Sequence, residues 1–363
     1  MFETSIALAV LFILSAVTSY VVTKLVKHAA ERIGAVDHPG DTRRIHLEST
    51  PRLGGLAIIF GFGFPLLLLA GNRHAAMLVS KNIGYLCAVL AAGSLVVGLG
   101  VYDDVLGADA PRKFTIQTAA AIILVAFGFR FDFVSFGATR LNLGLLASVV
   151  SVIWIVGVIN AVNFIDGMDS LATLVAITIA VAFLVIAVLR ADIFSLVIMT
   201  ALCGSLVGFY RWNKPPAKIF MGDTGSMFIG LLLAADSIVR PTKSPTALIV
   251  GGPMLALALP VIDTLIVMQQ RFSDRHESVL ARLARMFNAD KRHIHHILVA
   301  KYGSAGKAIA SIWLITLLFA TAAVMTSVDR LKPAGYSLAA LGLALLIFLR
   351  YWFRRGGAEA IQT

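Results

Sequence analysis

The sequence predicts an all-α polytopic membrane protein, and three observations predict it. Hydrophobic residues make up 58% of the 363 and charged residues only 14%, against about a quarter charged in soluble domains. The apolar residues fall in blocks of about 17–23, the length a helix needs to cross a bilayer. The basic residues gather on alternate connections, as they do when one side faces the cytoplasm. Mean hydropathy over the chain is +0.87.

About eleven transmembrane helices are expected, over residues 5–26, 53–70, 83–101, 114–130, 145–163, 171–189, 192–211, 225–239, 246–268, 307–327 and 335–353. The first is too long for a signal-peptide core and no small-residue cleavage pattern follows it, so it is expected to stay in the mature protein. With the N-terminus outside and the C-terminus inside, 22 of the 31 Lys and Arg fall on the inner side. The net charge of +11 is largely this bias. It needs no nucleic-acid partner, because a lipid bilayer with anionic headgroups and anionic substrates accounts for it. Cys87 and Cys203 both fall inside spans, so no extracytoplasmic disulfide is implied and no metal site can be built from cysteine.

Residues 1–363 read as a single integral membrane domain without repeats. Its long connections, 27–52 and 269–306, are both on the inner side. The outer loop "FDFVSFGATRLNLG" has the β-branched and aromatic residues around a glycine that suit a small hairpin. In the second long loop Val279, Leu280, Leu283, Met286 and Phe287 recur at helical spacing beside Arg282 and Arg285. That pattern suits an amphipathic helix in the inner interface, or one packed against the other loops.

Polar chemistry gathers at the inner ends of the spans. Asp103 and Asp104 end span 3, and Lys113 opens span 4. Asn160, Asn163, Asp166 and Asp169 end span 5, while Asn213, Lys218 and Asp223 precede span 8. The last inner loop adds Asp290, Arg292, His293, His295 and His296. Capping competes with function at single sites: Asp166 or Asp169 suits the start of span 6, and Asp223 or Thr224 the start of span 8. Adjacent carboxylates repel, so the Asp103–Asp104 pair points to a divalent cation or to two acids with separated pKa values. Three histidines within four residues point to a phosphate, a base or a metal. The carboxylates favour a hard ion such as magnesium over zinc.

Glycine at a helix start, as at Gly222 and Gly225 in "FMGDTGS", leaves room for an anionic ligand near backbone N–H groups. Carboxylates, magnesium and a phosphate cradle are the apparatus of phosphoryl transfer. At a membrane face, one substrate is expected to be a lipid. Asp236 is expected near the outer end of span 8. Asp263, beside Pro260 in span 9, is left between helix–helix hydrogen bonding and support of the site.

At "DHPGDTRRIHLESTPRLGG", "DDVLGADAPRKFTIQ", "NAVNFIDGMDSLA", "NKPPAKIFMGDTGS" and "HIHH" the chain resembles the polyprenyl-phosphate N-acetylhexosamine-1-phosphate transferases, in order from about residue 36 to 300. The eleven-span count and the "HIHH" form resemble the N-acetylglucosamine branch. The resemblance implies transfer of N-acetylhexosamine-1-phosphate from a UDP-N-acetylhexosamine to polyprenyl (undecaprenyl) phosphate, with release of UMP. That step would initiate cell-surface polysaccharide synthesis at the cytoplasmic face of a bacterial inner membrane.

The same resemblance implies magnesium, with manganese as its alternative, held by Asp223 with Asp103 and Asp104. It also implies that one of the aspartate pair orients or deprotonates the lipid phosphate, and that Lys113 holds a phosphate. The segment "GADAP" lacks a basic residue that some relatives carry there, so Lys113 is placed by its spacing to Gln117. Asp169, Asn213 and Phe220 would bind the uridine, and Asn163 and Asp166 the ribose–diphosphate end. His293, His295 and His296 would close over the sugar nucleotide. Arg43, Arg44 and His46 would meet diphosphate or lipid phosphate. A homodimer is left open. The alternatives within the class are the phospho-N-acetylmuramoyl-pentapeptide transferase and transferases for other UDP-N-acetyl sugars; from another class, an ion-coupled transporter.

Overall fold

The computed structural model describes residues 2–37, 49–70, 82–136, 139–238, 252–273 and 292–355. Arg43, Arg44, His46 and the expected amphipathic helix around 279–287 lie outside the described residues. The architecture is helical, with two small hairpins. Helices run α1 Phe2–Ile33, α2 Gly54–Ala70, α3 Ile83–Leu106, α4 Ala110–Ala126, α5 Leu146–Ile165, α6 Leu171–Arg190 and α7 Ile193–Asn213. They continue as α8 Gly222–Ser237, α9 Gly252–Ala256, α10 Ala258–Ser273, α11 Ile294–Tyr302, α12 Ala305–Thr326 and α13 Lys332–Arg355.

Seven of the described helices are long and apolar enough to cross a membrane, namely α1, α3, α5, α6, α7, α12 and α13. The chain is therefore an all-α polytopic membrane protein. The expected segments 53–70, 114–130 and 225–239 correspond to the shorter helices α2, α4 and α8. The expected continuous span 246–268 differs from what is found: within its described part the helix breaks at Leu257, separating α9 from α10. Pro253 and Pro260 flank that break, and neither can donate a helical N–H.

Inside so apolar a bundle, hydroxyls must find partners within the chain. Thr23, Ser151, Thr178 and Thr316 each donate to the carbonyl four residues earlier, at 2.6–2.9 Å. The hairpin expected in the outer loop is present as β3 Phe133–Phe136 against β4 Thr139–Asn142, with Phe133 opposite Asn142. A second hairpin was not expected: β1 Val36–Asp37 pairs antiparallel with β2 Thr50–Pro51. Phe220 donates its N–H to the Pro51 carbonyl, and its own carbonyl accepts from Gly54. These bonds dock the segment before α8 onto the start of α2.

Helix α8 is the centre of the bundle, packed on α2, α3 and α5. All its residues are buried except Gly222, Asp223 and Asp236. Its first turn meets α2 so closely that a Cβ on Gly55 would lie 2.1 Å from the Gly225 nitrogen. Helices α1 and α13 are by contrast mostly exposed, with apolar side chains such as Ile13, Val17, Ile347 and Phe348 on the outside. That is the distribution a lipid-facing rim requires.

Candidate active site

The polar groups named from sequence converge at one end of the bundle, around the first turn of α8. Asp103, Asp104 and Asp223 each offer a carboxylate oxygen within 4.8 Å of the others. Lys113, from the first turn of α4, bridges two of them, with Nζ 2.8 Å from Asp103 Oδ2 and 2.6 Å from Asp223 Oδ2. Asp103 also accepts the Ala108 N–H at 2.7 Å. That bond closes the turn between α3 and α4, and Asp109 caps α4 by accepting from the Arg112 N–H.

The two adjacent aspartates do different things. Asp104 is 7% exposed, and its oxygens accept the N–H groups of Asp223 and Thr224 at 2.9 and 3.0 Å and the Thr224 hydroxyl at 2.6 Å. Orphan N–H groups at a helix start are ordinarily met by a residue of the same helix. Here a carboxylate from 119 residues away meets them. The residue before α8 is Met221, without a side-chain cap, so neither Asp223 nor Thr224 caps the helix. Oδ1 of Asp104, accepting a single bond, keeps a lone pair.

This arrangement also reassigns the glycines. A Cβ on Gly222, whose φ is +70°, would lie 2.5 Å from Asp104 Oδ2. The room beside Gly222 belongs to the Asp104 carboxylate, and that beside Gly225 to Gly55 and Met221. The expectation that both glycines make space for a ligand is therefore corrected: the space is filled by protein.

A cavity of about 310 Å³ opens beside the cluster, lined by Lys113, Asn160, Asn163, Asp166, Asp223 and the three histidines, with Phe114 and Phe164. Asn163 donates to Ser226 Oγ at 2.9 Å, and Asn160 to Gln117 Oε1 at 2.7 Å. Asp166 follows the last residue of α5. Desolvation, then the Asp223, Asp104 and Asp169 carboxylates, push it up to about 8. The three residues implied to bind the uridine do not line this cavity. Asn213 is 3% exposed; its carbonyl accepts from Ser170 N–H and Thr173 Oγ1, and its amide donates to Ile219. Asp169 accepts the Ala217 N–H at 2.9 Å. Together with Phe220 they organise the 214–221 connection. The structure thus gives Asn213 and Asp169 a part in holding the loop that leads into α8.

The histidines lie across the cavity. The His295 ring sits over Gly167, where a Cβ would come within 2.4 Å of Nε2. Burial, then His296 and His293, hold its pKa well below the usual histidine range, so the ring is neutral at physiological pH. The rings of His295 and His296 are 4.2 Å apart. His293 Nδ1 lies 2.8 Å from Asp263 Oδ2. Asp263 also accepts the Ile294 N–H and pairs with Arg350 of α13. Both openings left for Asp263 are therefore filled at once. Arg350 escaped the reading of the sequence. Its signal was there, since an arginine inside an apolar span is costly without a partner.

Comparison with known proteins gives the family. A family model described as glycosyl transferase family 4 matches residues 86–240, the stretch that carries the carboxylates, Lys113 and the asparagines. The probable undecaprenyl-phosphate N-acetylglucosaminyl 1-phosphate transferase of Bacillus subtilis is 34% identical, over 89% of this chain and 86% of that protein. The decaprenyl-phosphate N-acetylglucosaminephosphotransferase of Mycolicibacterium smegmatis is 32% identical over 96% and 89%. A phospho-N-acetylmuramoyl-pentapeptide-transferase of Prochlorococcus marinus is 26% identical over 88% and 90%. Fold and site are those of a polytopic membrane transferase. The chain belongs to glycosyl transferase family 4, among the polyprenyl-phosphate N-acetylhexosamine-1-phosphate transferases.

Proposed function

We propose that this protein transfers N-acetylglucosamine-1-phosphate from UDP-N-acetylglucosamine to a polyprenyl phosphate such as undecaprenyl phosphate, releasing UMP. One observation carries the reading: three clustered carboxylates, two of them bridged by one lysine, beside a polar cavity at the end of an apolar bundle. The greater identity to relatives named for N-acetylglucosamine than to one named for the muramoyl-pentapeptide supports the donor. The eleven-span arrangement, with the N-terminus outside, would put this end of the bundle at the cytoplasmic face, where UDP-sugars are found.

In the reaction an oxygen of the lipid phosphate attacks the β-phosphorus of the donor. The bond from that phosphorus to the oxygen bridging it to the α-phosphate breaks. The electron pair leaves with UMP, and the sugar–phosphate bond is untouched. A phosphate monoester is largely ionised at neutral pH, so placement and charge neutralisation dominate over proton removal. Lys113 supplies a cation between Asp103 and Asp223 and would pair with a phosphate oxygen. Asp104 fixes the first turn of α8 and with it the direction of Asp223. Asn160, Asn163 and the neutral His295 offer hydrogen bonds to an uncharged sugar.

Magnesium, with manganese as alternative, fits the donor set: three hard oxygen ligands with no soft ligand among them. Asp223 and Asp103 would hold it, with the free lone pair of Asp104 in reach. When bound it would neutralise diphosphate charge as UMP leaves. The test is release of labelled UMP from UDP-N-acetylglucosamine by purified protein, expected only with polyprenyl phosphate and a divalent cation both present. Intact protein that turns over no UDP-N-acetylhexosamine overturns the reading.

A further inference from the structure

His293 is held from behind by a buried chain of polar groups that begins on α13. Asp263 and Arg350 are both 4% exposed. Asp263 Oδ2 is 2.8 Å from His293 Nδ1, and Oδ1 accepts the Ile294 N–H at 3.1 Å while pairing with Arg350 Nη1. Arg350 Nη2 donates to the Arg292 carbonyl at 2.9 Å. The pair thus grips the chain on both sides of His293, as well as the ring. Phe164 lies against that ring at 5.2 Å and His295 stacks on it at 6.0 Å. His293 is 3% exposed and lines the cavity. Its Nε2 is buried without a hydrogen-bond partner.

A buried polar nitrogen is costly unless something meets it, so its isolation points to a ligand. The other two partners of the Asp263 carboxylate, the Ile294 N–H and the Arg350 guanidinium, are both donors, so toward His293 it is set as an acceptor. Nδ1 therefore carries a proton toward Asp263, and in the neutral ring Nε2 then keeps its lone pair. We propose that Asp263 and Arg350 are positioning residues: they lock His293 in its Nδ1–H form, with Nε2 set to accept a hydrogen bond from an O–H or N–H group of the bound sugar nucleotide. The inference rests on the cavity being the donor site. It makes α13, otherwise a lipid-facing helix, part of donor recognition.

A double-variant cycle on the full chain tests this, with UMP release from UDP-N-acetylglucosamine as the readout. Arg350→Gln and His293→Ala should each raise KM for the sugar nucleotide about tenfold, the worth of one lost hydrogen bond. KM for the polyprenyl phosphate should stay within about twofold. The double variant should be no worse than His293→Ala alone, and Arg350→Lys should restore part of the loss. Multiplying effects would mean that Arg350 acts on the fold and not through His293, and would overturn the proposal. Should Arg350→Gln fail to fold, Arg350→Lys takes its place in the cycle under the same criterion. A second readout needs no turnover. In 15N-histidine spectra of the wild type, His293 should show a slowly exchanging Nδ1–H, lost in Asp263→Asn. An Nε2–H form at His293 overturns the proposal even if the protein proves to use another donor; absent wild-type turnover with a correct Nδ1–H signal faults the functional reading alone.

Discussion

The two ends of α8 carry the same residue and put it to opposite use. Asp223 in the first turn and Asp236 in the last are, with Gly222, the residues of this helix that are not buried. Asp236 accepts the Ser195 hydroxyl at 2.7 Å, close to the Trp154 indole N–H bonded to Ser237 at 2.9 Å. Those are helix-to-helix bonds, and no cavity is lined by Asp236 among those described. Asp223 instead clusters with Asp103 and Asp104, shares a single lysine with Asp103, and lies beside a polar cavity. Neighbouring carboxylates raise each other's energy, and Lys113 leaves an excess of negative charge. The contrast teaches that an acid in an apolar helix is either satisfied by its partners or crowded by neighbours that add to its charge, and the proposed function gives chemistry to the second kind.

The sharpest way to break the comparison is at Asp223 itself. Asp223→Asn should lower kcat by about 10³-fold or more, as removal of a group stabilising transition-state charge does. Its thermal stability should change little, since Asp103 is relieved of repulsion as Lys113 loses one partner. UMP release and a melting curve on the same preparation check both. Normal turnover would return Asp223 to a structural part like that of Asp236.

Asp104→Asn comes next and should differ in kind. An amide puts an N–H₂ against N–H donors at the buried start of α8, so stability should fall by about 1–2 kcal/mol. Activity should fall with it, by about 10²-fold, because the first turn no longer aims Asp223. Loss of activity with an unchanged melting temperature would show that Asp104 serves chemistry and not the cap.

A third, smaller effect is one of pH. Asp166 holds its proton up to about 8 in the folded protein, well above an unfolded carboxylate. Its protonated form therefore adds stability at acidic pH, and that contribution is lost as pH rises through about 8. In protein freed of divalent cations, the melting temperature should fall over this window, and Asp166→Asn should flatten the fall. An equal slope in wild type and variant would contradict the assignment. Smallest of all, Asp236→Asn should leave kcat/KM within about twofold and cost under about 1 kcal/mol, the worth of one hydrogen bond kept in weaker form.

Much was legible in the sequence because its signals are local. Each expected span overlaps a helix, since hydropathy sums over neighbouring residues. The hairpin at 133–142 was marked by its own β-branched residues and glycine. Most of the carboxylates, asparagines and histidines named from the sequence come together in space, because they cluster at helix ends and those ends meet. What escaped depended on partners far along the chain. Gly222 resembled room for a ligand until Asp104, 118 residues earlier, took that space. Asn213, implied by resemblance to bind the uridine, has hydrogen bonds to Ser170, Thr173 and Ile219 that no local pattern announced.

By itself, then, the sequence determined that this is a membrane protein, where its helices run and at which helix ends its acids and histidines collect. The hydrophobic effect and the bilayer act on stretches of chain, so composition suffices for that. Only the tertiary structure decided that Asp104 caps α8 while Asp103 faces Lys113, and that Asp263 and Arg350 stand behind His293. Such allocations turn on hydrogen-bond geometry of a few tenths of an ångström between residues tens to hundreds of positions apart. Nothing in the local pattern of either partner encodes that distance.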